Sequence, residues 1–303
     1  MVGVDLGGTK IAGALVAPDG ALRFRRETPT PAAAGRDAVL DACAATIAQV
    51  IEDARAVGAD PMAIGIGSAG VIDAAGRVVS ATRTIADWVG ADLRGDVVRR
   101  FGLPVAVIND VHAHGVGEAW LGAGRGRASM LLVAVGTGIG GAYVVDGNVL
   151  PGAHGIAGHL GHVPSAEAAG VTCTCGRDGH LEGLASGPGI HAAYLRAGGD
   201  PAVSSAAQVL ALVDGSSTAP AAAQSAVELA ATALGRAIGG WINTFDPDVV
   251  VVGGGVAQAG GRWWDVVLGA AARETLLPLD PGMVVRSALP DAAILGAARR
   301  ALR

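Results

Sequence analysis

Residues 2–20, VGVDLGGTKIAGALVAPDG, hold two β-branched apolar runs around Gly7-Gly8-Thr9-Lys10, the pattern of a β-hairpin closed by a glycine turn. Residues 129–147, SMLLVAVGTGIGGAYVVDG, repeat it: strand, glycine-threonine turn, strand, Asp-Gly. A repeat of this kind predicts two related halves, each offering a glycine turn. Working outward from the first copy, ALRFRR (21–26) adds a third strand. Val39, Leu40, Ala44, Ile47, Val50 and Ile51 keep helical spacing, and MAIGIG (62–67) returns to strand. A helix near 91–101, the strand PVAVIND and a helix through Trp120 follow. A β-meander followed by βαβα is an α/β fold with a mixed sheet.

After a Gly/Arg-rich break at 122–126, the second half reads as the repeated hairpin, a Cys/His-rich excursion and helices near 188–196 and 204–213. Next come the stretch GSSTAPAAAQ, read as a loop, a long helix near 220–244, the strand VVVVGGG, a helix near 260–275 and a last one from Asp291. The expected domains are 1–120, with 291–303 packing back on it, and 121–290, carrying a metal loop over 154–182.

The chain has 303 residues, 51% hydrophobic and 16% charged, which excludes disorder. Its net charge of −5, with no Lys/Arg run, argues against nucleic acid or anionic membrane as partner. The uncharged window 128–145 is broken by glycines and reads as strand, turn and strand, not as a membrane span. Three cysteines make no disulfide framework, and the start lacks a basic-then-apolar leader, so a reducing cytoplasm is expected.

The chemistry-bearing residues fall at these turns. In the first, small residues let backbone N–H groups approach phosphate oxygens, and Asp5 at a strand end can face hydrated Mg²⁺. Alone, Gly7, Gly8 and Thr9 are equally an ordinary hairpin turn. Lys10, the single lysine of the chain, is a phosphate contact or a solvated remnant. Gly136, Thr137 and Gly138 suit a γ-phosphate, and the second matched turn weakens the bland reading. Gly254 and Gly255 open a helix after an apolar strand, where an adenosine could lie on the backbone or where the chain simply turns tightly. None of the three is a Walker A or a dinucleotide fingerprint.

Asn109 and Asp110 stand where a strand becomes a helix. They form a helix N-cap or a carboxylate that takes a hydroxyl proton during attack on phosphorus. His162, Cys173, Cys175 and His180 have the donor types of a closed tetrahedral zinc shell, hence a structural metal. Such a metal would cross-link a glycine-rich loop and fix Glu182 as an acceptor for substrate hydroxyls. His112, His114, His154 and His191 are assigned surface or capping roles.

Together VGVDLGGTK, SAGVID, VIND, VGTGIGG, the Cys/His segment, NTFDPDVVVVGGGVA and AILGAA resemble the ROK sugar kinases and repressors of the actin-like ATPase superfamily, along essentially the whole chain. The resemblance implies a two-domain actin-like (ribonuclease H-like) fold with an interdomain cleft that closes on ATP, Mg²⁺ and a glucose-like sugar, and a homodimer. It makes Asp110 the general base for the 6-hydroxyl, with Asn109, His162 and Glu182 on ring hydroxyls. Gly70 would close over the sugar, and His162 would serve both metal and substrate.

The chain departs from the family pattern twice. His180 replaces a cysteine, which zinc tolerates. His159 replaces a glutamate that in the family accepts bonds near C1 and C2, and a neutral imidazole offers one acceptor and one donor. Glucose leads as substrate, with an amino hexose (kanosamine, N-acetylmannosamine, N-acetylglucosamine) or a seven-carbon cyclitol as the alternative, and polyphosphate is a possible donor beside ATP. A non-catalytic sugar-sensing regulator is the rival of another class. The intact Asp110 and both glycine turns count against it, and repressors of the family carry a winged helix ahead of the sugar domain, for which no room is expected before a phosphate turn that begins at residue 3.

Overall fold

The computed structural model describes residues 1–82, 84–214 and 219–302. Residues 215–218, the start of the expected GSSTAPAAAQ loop, lie outside the described residues, while 221–224 of that stretch are already helical.

The first hairpin forms as its pattern dictates: β1 Val2–Leu6 pairs antiparallel with β2 Lys10–Val16, which pairs with β3 Leu22–Pro29. After α1 Arg36–Ala56 come β4 Ile64–Ser68, the short ribbon β5 Val71–Ile72 and β6 Val78–Ser80, then α2 Leu93–Phe101, β7 Val105–Asn109 and α3 Asp110–Leu121. β4 lies parallel between β1 and β7, so the sheet order is β3-β2-β1-β4-β7. The register aligns Asp5 with Gly67 and Ser68 with Asn109, bringing the ends of β1, β4 and β7 to one level. Val2, Val4, Ile11, Ile64 and Ile66 are fully buried with Ile47 of α1, each contributing roughly 1.5–3 kcal/mol of transfer free energy. Burial pushes the Cys43 thiol up to about 12, which leaves it an inert core side chain.

The repeat then appears as β8 Ser129–Val135 and β9 Ile139–Val145, with β10 Asn148–Val149. The helices α4 Leu181–Ala185, α5 Gly187–Arg196, α6 Ala206–Val213 and α7 Ala221–Phe245 follow. β11 Val250–Gly253, α8 Gly261–Glu274, β12 Val284–Arg286 and α9 Ala292–Ala301 end the fold. The second sheet runs β10-β9-β8-β11-β12, with β11 parallel to both β8 and β12. Strand for strand this is the order of the first sheet. The three-residue β12 carries no sequence pattern of its own and is a strand only by its pairing.

Two compact units emerge: 1–128 with 142–158 and 289–303, and 129–141 with 159–288. In the first, α9 packs on β1, β4 and α3. The approach is so close that a side chain at Gly3 would run into the Ile294 carbonyl, and one at Gly65 into the Ala297 carbonyl. Glycine in these strands is required by the helix above them.

Candidate functional site

In the first unit, the turn after β1 is fastened twice. Gly7 N–H donates to the Lys10 carbonyl at 3.0 Å, and the Thr30 hydroxyl donates to the Gly7 carbonyl at 2.7 Å. Lys10 is exposed and pairs with Glu27 at 3.3 Å. Asp5 lies just before the turn, and burial, reinforced by the Asp110 charge, pushes its carboxyl up to about 6.

Asp110 is the first residue of α3, and Asn109 caps that helix: its Oδ1 accepts from the Val111 and His112 amides at 3.0 and 3.1 Å. The same side chain donates through Nδ2 to the Gly70 carbonyl at 3.0 Å and to Asp110 Oδ1 at 2.9 Å. The cap foreseen for this pair is present, and it leaves the Asp110 carboxyl beside the Asn109 amide. Enclosure raises the Asp110 carboxyl above the usual carboxylate range, opposed by the Val111 amide that donates to Oδ1 at 2.9 Å. A carboxylate with one oxygen engaged and a raised affinity for protons is suited to accept one. Gly70, Asn109, Asp110 and Asp5 are therefore assembled in this unit.

In the second unit, the turn after β8 is closed by Gly136 N–H to the Gly138 carbonyl at 2.9 Å. It is tied to the start of α5 by Gly187 N–H to the Gly136 carbonyl at 2.8 Å. Gly254 has φ +89°, and a side chain there would strike the Val135 carbonyl, so the third glycine run abuts the second turn. Gly136, Thr137, Gly138, Gly254 and Gly255 thus share one end of the second sheet.

The side chains of His162, Cys173, Cys175 and His180 converge, with their donor atoms all within 4.8 Å of one another. Cys173 Sγ lies 3.7 Å from His162 Nδ1, and Cys175 Sγ lies 3.2 Å from His180 Nδ1. Two sulfurs and two imidazole nitrogens fit a borderline-soft metal ion. Since His162 turns Nδ1 to the sulfur, its Nε2 faces the other side of the ring. His159 is exposed and stacks on His162, with ring centroids 6.1 Å apart.

Glu182, in α4, is buried at 7% exposure. Its Oε2 accepts from the Ile139 amide at 2.9 Å, and its Oε1 accepts a short bond from the Thr174 hydroxyl. One carboxylate thereby joins the Cys-x-Cys loop to the second glycine turn. Thr174 and the Ile139 amide escaped sequence reading, although a hydroxyl between two ligand cysteines is a usable signal. His112 corrects the expectation of a surface role: it is 5% exposed, with Nε2 at 2.8 Å from the Ala157 carbonyl.

The ROK family model matches residues 1–302. A glucokinase of Thermotoga maritima is 34% identical over 98% of this chain and 96% of its own length. An N-acetylmannosamine kinase of Escherichia coli is 33% identical over 97% of this chain and 96% of its own. The crystal structure of a ROK family glucokinase from Streptomyces griseus in complex with glucose and AMPPNP superposes with TM-score 0.80 and 31% identity, covering 100% of this chain and 99% of that one. The chain belongs to the ROK family, and its fold is the actin-like ATPase fold.

Proposed function

We propose that this chain is an ATP-dependent hexose kinase that transfers the γ-phosphate to the 6-hydroxyl of a glucose-like sugar. The observation that carries the reading is Asp110, with a raised proton affinity and one oxygen held by the Val111 amide and Asn109. In this reading Asp110 takes the hydroxyl proton as that oxygen attacks phosphorus, and the proton stays on the carboxyl until product leaves. Asn109 and the Gly70 segment orient the sugar in the first unit, and His162 Nε2 and Glu182 bind ring hydroxyls in the second. The amides of Gly7, Gly8, Thr9, Gly136, Thr137 and Gly138 cradle phosphates, with Lys10 as a further cation. Gly254 and Gly255 leave backbone open to the adenosine.

Mg²⁺, held with Asp5, neutralises charge on the phosphates when bound. Zn²⁺ suits His162, Cys173, Cys175 and His180, and there it supplies a closed cross-link and no chemistry. Free Cys173 and Cys175 suit a reducing cytoplasm, and no helix among the described residues is long and apolar enough to cross a membrane. A homodimer is the expected assembly.

The second reading, an amino hexose in place of glucose, is favoured by one observation: His159, exposed on the His162 ring, stands where the family motif has a carboxylate. The 33% identity to an N-acetylmannosamine kinase is in line with it. A coupled ADP assay over glucose, 2- and 3-amino hexoses and N-acetyl hexosamines, with sugar-free controls, tests both. ADP release without sugar dependence overturns the kinase. A His159→Glu variant that leaves the sugar ranking unchanged overturns the second reading.

A further inference from the structure

The first unit contains a cavity of about 660 Å³ that touches the kinase site only at Asn109 and is otherwise lined by residues with no part in the kinase reading. Its floor is the edge strand β7, and its walls come from α2, the end of β5, residues 147–155 and α9. Three guanidinium groups line it: Arg94, Arg299 and Arg300. A single lining carboxylate, Asp73, opposes them, and its Oδ1 already accepts from the Ala75 and Arg77 amides, each at 2.9 Å. Among the described residues none of the three arginines forms an ion pair, although eight other arginines of the chain do. Three unpaired guanidiniums around one concavity are a standing electrostatic cost that an anion relieves.

The cavity is also built. Arg94 is held by Nη1 donating to the Ala74 carbonyl at 3.1 Å and by Gly76, whose φ of +79° lets the backbone lie on the arginine stem. Its Nε is buried and has no acceptor within the protein. The Arg299 guanidinium sits 5.0 Å above the Trp120 ring, a stacking that leaves its N–H edge to an acceptor. The opposite rim is fastened where His112 meets the Ala157 carbonyl and where Gly155 packs on the Ile72 carbonyl.

We infer that this cavity is a binding site for a small organic phosphate, its dianion held by Arg94, Arg299 and Arg300. Planar guanidiniums match phosphate oxygens two at a time, and the volume leaves room for a sugar- or acid-sized body beyond the phosphate. Asn109 borders the cavity as well, so an occupant there sits against the segment that presents Asp110. The inference rests on this unit's own residues and stands or falls apart from the kinase reading.

The test is calorimetric titration of the full chain with glucose 6-phosphate and with 3-phosphoglycerate, each in saturating glucose and AMPPNP to occupy the catalytic sites. At least one phosphoester is expected to bind, and its carbon body then identifies the source. The Arg94→Gln/Arg300→Gln variant should weaken that binding at least tenfold. Ala153→Glu, which adds a carboxylate at an exposed lining position and spares every arginine, should do the same while glucose binding is unchanged. Absence of binding by both phosphoesters, or equal binding in wild type and the two variants, overturns the site.

Discussion

The two sheets share one strand order and one strand-turn-strand opening, yet they carry different chemistry at equivalent places. Counting back from each glycine turn, the first sheet has Asp5 where the second has Ala134. The first unit adds Asn109 and Asp110 at the end of β7, so carboxyl and amide oxygens gather there. The second offers backbone amides at its turn and obtains its buried carboxylate, Glu182, from outside the sheet. The repeated element supplies a glycine turn in each half, and the flanking segments decide what charge stands beside it.

Two carboxylates, the half-buried Asp110 and the buried Glu182, differ in how they are held. Asp110 is fastened by its immediate neighbours, Asn109 and Val111. Glu182 depends on Ile139, 43 residues away, and on Thr174 inside the Cys-x-Cys loop. The contrast predicts a proton-transfer defect from one and a positioning defect from the other.

The largest effect is expected from Asp110→Asn, which keeps size and loses the base. Turnover should fall by about 10²–10⁴ with sugar affinity little changed, measured by the coupled assay and by sugar titration. Undiminished turnover would remove the general base. Next, stripping metal with a chelator, or Cys175→Ser, should raise the sugar KM by about 10–100-fold and lower the unfolding midpoint, because Glu182 loses its loop. An unchanged KM would separate the Cys/His cluster from the sugar.

The Asp5 carboxyl supplies a pH test. Its folded pKa of about 6 lies above its ordinary value of 3.8, so the native state binds the proton more tightly than the unfolded chain does. From this group, stability should rise as pH falls from about 7 towards 4, and Asp5→Asn should stabilise the protein at pH 7.5 by up to about 2–3 kcal/mol while abolishing that slope. Denaturant unfolding at several pH values measures both. A variant no more stable than wild type would contradict the enclosure of Asp5 beside Asp110. The smallest effect belongs to Thr174→Val. Loss of one hydroxyl bond to a charged acceptor costs about 1.5–3 kcal/mol, read as a rise in sugar KM with turnover unchanged. A fall in turnover alone would show that Thr174 acts on another step.

Much of this was readable along the chain because the informative features are local. Strand-glycine-strand patterning located both hairpins, donor types and their spacing located the Cys/His cluster, and an Asn-Asp pair at a strand-to-helix junction located the start of α3 at Asp110. What escaped reading depends on contacts distant in sequence. Nothing near residue 182 announces that the Ile139 amide will meet it, β12 exists through β11, and His112 looks like a solvated helix residue until residue 157 covers it. The cavity arginines come from residues 94, 299 and 300, a proximity no spacing rule conveys.

The α9 contacts at Gly3 and Gly65 bear on the order of assembly during synthesis. β1 and β4 are synthesised long before α9, the helix that covers them, so the nascent sheet waits with part of one face bare while residues 159–288 emerge. Translational pauses and chaperone demand should therefore weigh most on that waiting sheet, and the last helix acts as the latch that ends its exposure.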